Sequence, residues 1–315
     1  MIFQKIAEKI KKADKIAIFS HTRPDGDTVG GVLALKKGLE SIGKKCACFC
    51  DNAIPSRFSF LPGVGDYSLS PAEKYDLYIA VDCGELARLG ENAVFFQKKV
   101  NTVNIDHHGS NDNFAEINYV AGYASTCEIV FELLDYMKIS PDDDSALCLY
   151  VGLSTDTGNF AHSNTDAHVF ECARRLIGHK IDVAALNFAL YRDTSFQRTK
   201  LLGRVLGGMR RYLDGKLTLI YTLSQDIAET GATASDTEGF IDYATNVTGT
   251  EVGVAICQHG ENSFKVSMRS RGKVDVSAVC SSFGGGGHRN ASGCMICGFF
   301  EDVVDKLVRA ISLEL

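Results

Sequence analysis

The sequence predicts an α/β protein: an N-terminal doubly wound, mostly parallel sheet followed by a smaller C-terminal α/β domain. Three observations lead there. Strand-like and helix-like segments alternate through the first half, which is the pattern of a parallel sheet with crossover helices. The alternation stops after Asp182 and a different order follows. At 315 residues the chain exceeds the size at which one hydrophobic core usually stops growing, so two domains are expected.

The elements follow in order. Met1–Asp14 carries Lys5, Lys9, Lys11 and Lys12 without an apolar stretch or small-residue cleavage site, so it reads as an amphipathic opening helix, not a signal peptide. Lys15–Ser20, Lys45–Cys50, Asp76–Val81 and Asn101–Ile105 read as strands. Thr28–Ser41 reads as a helix, with Val29, Val32, Leu33, Leu35 and Leu39 mostly on one face. Ser125–Met137 opens on Ser125-x-x-Glu128, the spacing of a capping box. Asp142–Ser154 and Thr165–Gly178 are further helices, with Thr165 the expected cap. Residues 182–190 and 194–209 are helical with no strand between them. Lys216–Leu223, Glu251–Gln258, Phe264–Arg269 and Ser292–Phe300 then read as strands, and 235–243, 275–282 and 302–314 as helices. The domains are therefore expected at 1–190 and 211–315, joined by a helical linker over 191–210.

Composition narrows the function. The chain is 45% hydrophobic and 23% charged, as in ordinary globular proteins, and its longest apolar runs are too short to span a bilayer. The eleven Cys are an odd number in mostly apolar surroundings, as in Cys46-Ala47-Cys48-Phe49-Cys50. They read as reduced, buried thiols of a cytoplasmic protein. Cys294-x-x-Cys297 lies within a strand and has no second pair, so it is not expected to bind metal or do redox work. The net charge of −6 argues against a protein that grips long nucleic acid. A nucleic-acid substrate should be short, or held by local positive charge.

Four segments place acidic or imidazole side chains at the ends of elements. They are His21, Asp25 and Asp27; Asp82-Cys83-Gly84; Asp106-His107-His108; and Asp156-Thr157-Gly158. Each has a plain alternative: Asp27 as a helix cap, Asp82 and Asp106 as turn residues, Asp156 as part of a helix-ending turn. In an open α/β sheet, however, ligands bind beyond the carboxyl ends of the strands, and three of the four clusters sit there. So many carboxylates would repel one another without positive charge among them. Oxygen donors with a minority of imidazoles suit Mn²⁺, Mg²⁺ or Fe²⁺, and there are too many donors for one ion. Two ions sharing a carboxylate fit metal-assisted phosphoester cleavage.

These motifs, in this order, resemble those of the DHH phosphoesterase family. Gly284–Gly287, His288, Ala291, Ser292 and Gly293 resemble the signature of the associated DHHA1 domain. Length and layout are most similar to the stand-alone nano-RNase/pAp-phosphatase branch. The resemblance implies that His21 and Asp25 hold one ion, that Asp27, His107 and Asp156 hold the other, and that Asp82 bridges them. It implies Mn²⁺ as the metal, with Mg²⁺ or Co²⁺ as substitutes. Asp106 would orient His107 through its ring N–H or support the loop, and His108 would lie near the scissile phosphate. Short oligoribonucleotides or small nucleotides such as pAp would be substrates. Cyclic or linear dinucleotides are the enzymatic alternative, and a nucleotide sensor without catalysis the alternative of another class. A membrane partner is not expected, and a homodimer is compatible with the sequence.

Between Asn262 and Ser292 the charge reverses: Lys265, Arg269, Arg271, Lys273 and Arg289 face only Asp275. The first half shows no evident phosphate-gripping Arg, so substrate binding is expected at Arg269 and His288, with Gly285, Gly286 and Gly287 letting backbone N–H groups approach an anion.

Overall fold

The computed structural model describes residues 2–315; Met1, which the expected opening helix includes, lies outside them. The chain divides into two compact units, Met1–Arg192 and Asp193–Leu315.

In the first unit the order is α1 (Ile2–Lys12), β1 (Lys15–Phe19), α2 (Gly26–Ser41), β2 (Lys45–Phe49), β3 (Leu77–Val81), β4 (Thr102–Asp106), β5 (Ile117–Val120), α3 (Thr126–Tyr136), α4 (Asp143–Asp156), α5 (Ala167–Leu176) and α6 (Val183–Tyr191). The five strands form one sheet in the order β2-β1-β3-β4-β5, with every pair parallel. Parallel strands buried on both sides read as nearly continuous apolar runs, and Ile16–Phe19 and Leu77–Val81 do. Alternate residues divide between two cores. Ile16, Ile18, Ile79 and Val81 join the cluster formed with α2, α3 and α4. Ala17, Phe19, Phe49 and Ala80 join an aromatic cluster with Leu89, Phe96 and Phe114, which a kinked 3₁₀ stretch, Leu86–Phe95, helps to close.

Two glycines set the approach of α2 to α4. A methyl group on Gly30 would run into the carbonyl of Cys148, and one on Gly152 would meet Cys127 Sγ and Asp27 Oδ1. Only residues without a Cβ let these helices come this close.

The second unit holds α7 (Phe196–Gly207), β6 (Arg210–Tyr212), β7 (Leu217–Thr222), α8 (Ser224–Thr230), α9 (Ile241–Thr245), β8 (Val252–Gly260), β9 (Ser263–Ser270), α10 (Val276–Ser281), β10 (Gly286–His288), β11 (Ala291–Cys297) and α11 (Phe300–Ser312). Its mixed sheet runs β10-β11-β9-β8-β7-β6, with only β7 and β8 parallel. Phe264, Val266, Met268 and Ile296 pack into a core with α10 and α11.

Several elements differ from the sequence reading. β5, β6, β10 and α8 are short and carry too few residues to give a period. The helix expected over 235–243 is a 3₁₀ turn, Ala234–Thr237, then α9, because Gly239 takes φ +80° between them. The last strand ends at Cys297, where Gly298 turns the chain into α11. Asp166, not Thr165, caps α5, and Asp25, not Asp27, caps α2. The capping box at Ser125 and Glu128 is present. All eleven cysteines are free. Cys294 is buried and Cys297 exposed, because a spacing of three puts them on opposite faces of β11. No helix among the described residues is long and apolar enough to cross a membrane.

Candidate dinuclear metal centre

The strand order of the first unit reverses direction between β1 and β3, which is where open α/β sheets place ligands, beyond the carboxyl ends of the strands. His21 follows β1, Asp82 follows β3, Asp106 ends β4, and His107 and His108 come next. Asp25 caps α2 through hydrogen bonds from the N–H groups of Asp27 and Thr28, and Asp156 is the last residue of α4. All eight residues singled out in the first unit thus gather at one edge of the sheet.

Asp82 is central. It is 2% exposed and takes φ +61°, a left-handed conformation uncommon outside glycine and tolerated best by Asp and Asn. Its Oδ2 lies 3.6 Å from His21 Nε2, and its Oδ1 lies 3.6 Å from His107 Nε2. The Thr126 hydroxyl donates to Oδ1 at 2.9 Å, fixing the carboxylate plane. His21 Nε2 is also 3.7 Å from Asp25 Oδ2, and His107 Nε2 is 3.2 Å from Asp156 Oδ2. His21, Asp25 and Asp82 form one group of donor atoms within 4.8 Å of one another, and Asp27, His107 and Asp156 form a second.

The imidazoles are held by backbone carbonyls. His21 Nδ1 faces the Thr22 carbonyl at 2.8 Å, and His107 Nδ1 faces the Tyr123 carbonyl at 3.2 Å. A carbonyl accepts, so each Nδ1 carries a proton, and Nε2 is the nitrogen that faces the carboxylates and is left to a cation once its own proton is displaced. Asp27 is fully buried in the first turn of α2 and accepts from the N–H groups of Thr126 at 2.6 Å and Cys127 at 2.9 Å, at the start of α3. Helix N-termini favour carboxylates in this way.

Electrostatics test whether the residues fit cations. Burial first, and then the negative charges of Asp156 and Asp82, push the Asp27 carboxyl well above the usual range. Burial, followed by Asp82 and Asp25, raises Asp156 to about 8. Burial works against the Asp25 carboxylate, but His21 outweighs it and holds the group down to about 2. His21 is raised to about 9, its burial being overcome by Asp25 and Asp82. The protein alone therefore leaves carboxylates that cannot all ionise together. Divalent cations relieve that repulsion, and this oxygen-rich donor set with two imidazoles fits them.

Asp106 does not face the His107 ring. Its Oδ1 lies 2.7 Å from His108 Nδ1, and its Oδ2 accepts from Asn111 in the following loop at 2.5 Å. The hydrogen bond with Asp106 raises the His108 pKa, favouring the protonated, donating form. The sequence reading missed Thr126, whose contact with Asp82 spans 44 positions, and it missed Arg88. The first unit does carry a cation at the site: Arg88 Nη2 lies 3.0 Å from His21 Nδ1 and 3.3 Å from Nε2. Nothing in the local sequence separates this arginine from a surface residue.

In the second unit Arg269 lies on β9 and lines a cavity of about 290 Å³ with Tyr221, Thr237, Phe240, Lys265 and Ser267. None of Lys265, Arg269, Lys273 and Arg289 makes an ion pair with a carboxylate among the described residues. His288 is exposed at the end of β10. Gly285 and Gly287 are explained by packing: a Cβ on either would collide with β11, at Cys294 or at Ala291 O and Ser292. Gly286 has open space around it.

The DHH family N-terminal domain matches residues 15–153, and the DHHA1 domain matches residues 217–315. The bifunctional oligoribonuclease and PAP phosphatase NrnA of Thermus thermophilus is 31% identical over 318 residues, spanning 98% of this chain and 93% of the relative. The chain belongs to the DHH family. This DHH protein is a phosphoric-ester hydrolase with a C-terminal DHHA1 domain. The cyclic-di-AMP phosphodiesterase GdpP of Bacillus subtilis is 24% identical, spanning 99% of this chain but 49% of that protein. An exopolyphosphatase-related protein from Bacteroides fragilis shares the fold at TM-score 0.89 and 28% identity, over 99% of this chain and 95% of that one. RecJ of Thermus thermophilus, solved with Mn²⁺, matches at TM-score 0.54 and 15% identity, over 99% of this chain and 54% of that one, which is likeness of fold.

Proposed function

We propose that this DHH protein hydrolyses short oligoribonucleotides to mononucleotides and converts pAp to AMP, using two divalent cations, Mn²⁺ foremost. The observation that carries the reading is Asp82, whose two carboxylate oxygens face His21 and His107 at 3.6 Å each. His21 and Asp25 would then hold one ion, Asp27, His107 and Asp156 the other, and Asp82 would serve both. When bound, such a pair supplies hydroxide near neutral pH and Lewis acidity toward the phosphoryl oxygens. The chain's own residues do the rest. The carbonyls of Thr22 and Tyr123 keep the His21 and His107 rings in their ligating tautomer. Asp106 aims His108 and favours its proton, so His108 donates to the phosphate or to the leaving oxygen. In the second unit Arg269 and Lys265 offer charge to a terminal phosphate or base, with Tyr221 and Phe240 providing apolar surface in the same cavity, and the exposed His288 offers a further donor.

The substrate class is supported by the NrnA relatives, which match nearly end to end, and by the net charge of −6, which disfavours long nucleic acid. Cyclic or linear dinucleotides are the alternative substrates, the cyclic ones supported by the likeness to the cyclic-di-AMP phosphodiesterase GdpP. The test is Mn²⁺-dependent turnover of a diribonucleotide, a pentaribonucleotide, pAp, cyclic di-AMP and pyrophosphate, with D82A as control. Mononucleotide release from the linear oligomers, lost in D82A, supports the reading. Selective turnover of cyclic di-AMP replaces it with the second. No turnover with Mn²⁺ bound would leave a nucleotide sensor.

A further inference from the structure

Arg88 is a half-buried guanidinium with no carboxylate within ion-pairing distance among the described residues, although it stands beside an acidic cluster. Its side chain's hydrogen-bond contacts are the two ring nitrogens of His21. That partnership would not survive a cation in the site. His21 Nδ1 carries its proton and donates a hydrogen bond to the Thr22 carbonyl at 2.8 Å, so it cannot accept. Nε2 is the nitrogen that faces Asp25 and Asp82, and it would be the one to ligate a cation held there. The ring then has no acceptor left, and the five N–H donors of Arg88 need an acceptor from elsewhere. Phosphate oxygens match a guanidinium fork in geometry and charge.

A structural role for the side chain is already filled by other atoms. His21 is 1% exposed and its ring is fixed by Thr22. The tie between the Leu86–Phe95 stretch and the β1 loop is a backbone bond, from Thr22 N–H to the Arg88 carbonyl at 2.6 Å.

Resting on the two-ion hydrolase reading, we propose that Arg88 is a catalytic residue that grips a non-bridging oxygen of the scissile phosphate from the His21 side of the site. Negative charge accumulates on those oxygens as phosphoryl transfer proceeds, so the same contact strengthens in the transition state. It lies on the unit that carries the metal ligands, distinct from the basic residues of β9 and β10.

The experiment compares wild type, R88A and R88K by calorimetric titration with Mn²⁺, then with inorganic phosphate in the presence of Mn²⁺, and by steady-state kinetics on a diribonucleotide. R88A should bind Mn²⁺ within about twofold of wild type, bind phosphate about tenfold or more weakly, and lose about 100-fold in kcat. R88K, which keeps the charge but not the fork, should recover part of the phosphate affinity, and it serves as the folded variant should R88A fold poorly. Parallel loss of Mn²⁺ affinity would make Arg88 a positioning residue for His21 and overturn the proposal. Unchanged phosphate affinity in R88A, or a wild type that binds no phosphate, would overturn it as well. A wild type that binds phosphate through Arg88 but cleaves none of the oligonucleotides would instead defeat the substrate reading and leave the phosphate grip standing.

Discussion

Replacing Asp156 with Asn should make the metal-free protein more stable while weakening its hold on metal. The folded chain raises Asp156 to about 8 from an ordinary 3.8, mainly through burial and then through Asp82 and Asp25. Because the folded value lies above the unfolded one, the folded chain holds an extra proton, and stability is lost as pH rises between those values. At about 1.4 kcal/mol per pKa unit, the penalty is about 1–2 kcal/mol at pH 5 and on the order of 5 kcal/mol at pH 8. The neutral amide of D156N removes it. Thermal denaturation in EDTA should therefore place D156N level with wild type or slightly above it at pH 5, and about 10 °C or more above it at pH 8. Adding Mn²⁺ reverses the order of gain: wild type rises by about 3 kcal/mol at a hundredfold excess over Kd, and D156N rises far less. A D156N protein no more stable than wild type in EDTA at pH 8 would refute the claim that this centre is a site of stored electrostatic repulsion.

Three further outcomes are expected. R269A should raise KM more than it lowers kcat on a diribonucleotide, because binding to a part of the substrate that does not react is removed; the opposite split would move Arg269 to the reacting phosphate. His168 is raised above its ordinary value by Glu128 foremost, with Glu132 on its other ring nitrogen at 2.9 Å. A raised folded value gives stability that is complete below about pH 6.5 and fades as pH rises through it, so H168Q should lower the melting temperature clearly at pH 6 and little at pH 9. G152A should destabilise the first unit by about 1–3 kcal/mol and reduce Mn²⁺ affinity in the same titration, since the added methyl meets Cys127 and Asp27; a stable variant with normal Mn²⁺ binding would show that the helix pair yields.

Much of the site was legible because its residues sit where the strands run out. Asp82 and Asp106 close apolar runs, and His21 follows one, so hydrophobic patterning alone aligned them on one edge. The contacts that arrange them were not legible. Thr126 reaches Asp82, and Cys127 reaches Asp27 across 100 positions, and nothing in a helix cap announces a distant acceptor. Asp106 turning to His108 instead of His107 depends on which side of the chain each ring falls after β4. Arg88 lies in a kinked 3₁₀ stretch with no period to read, so its direction follows only from tertiary packing. The glycines of 284–287 invited a ligand reading, yet two of them are demanded by the neighbouring strand.

If Asp27, Asp156 and His107 hold an ion as proposed, the glycine crossing of α2 and α4 has a consequence for which ions the site accepts. α2 begins beside Asp27 and α4 ends at Asp156, so these two carboxylates ride on members locked backbone to backbone. Their separation behaves like the fixed jaw of a caliper. His107 arrives from a loop and is the adjustable jaw. Variants that accept a larger or smaller cation should therefore arise in the segment around residues 107–111 and not along either helix, whose spacing no side-chain substitution can tune without prising the pair apart.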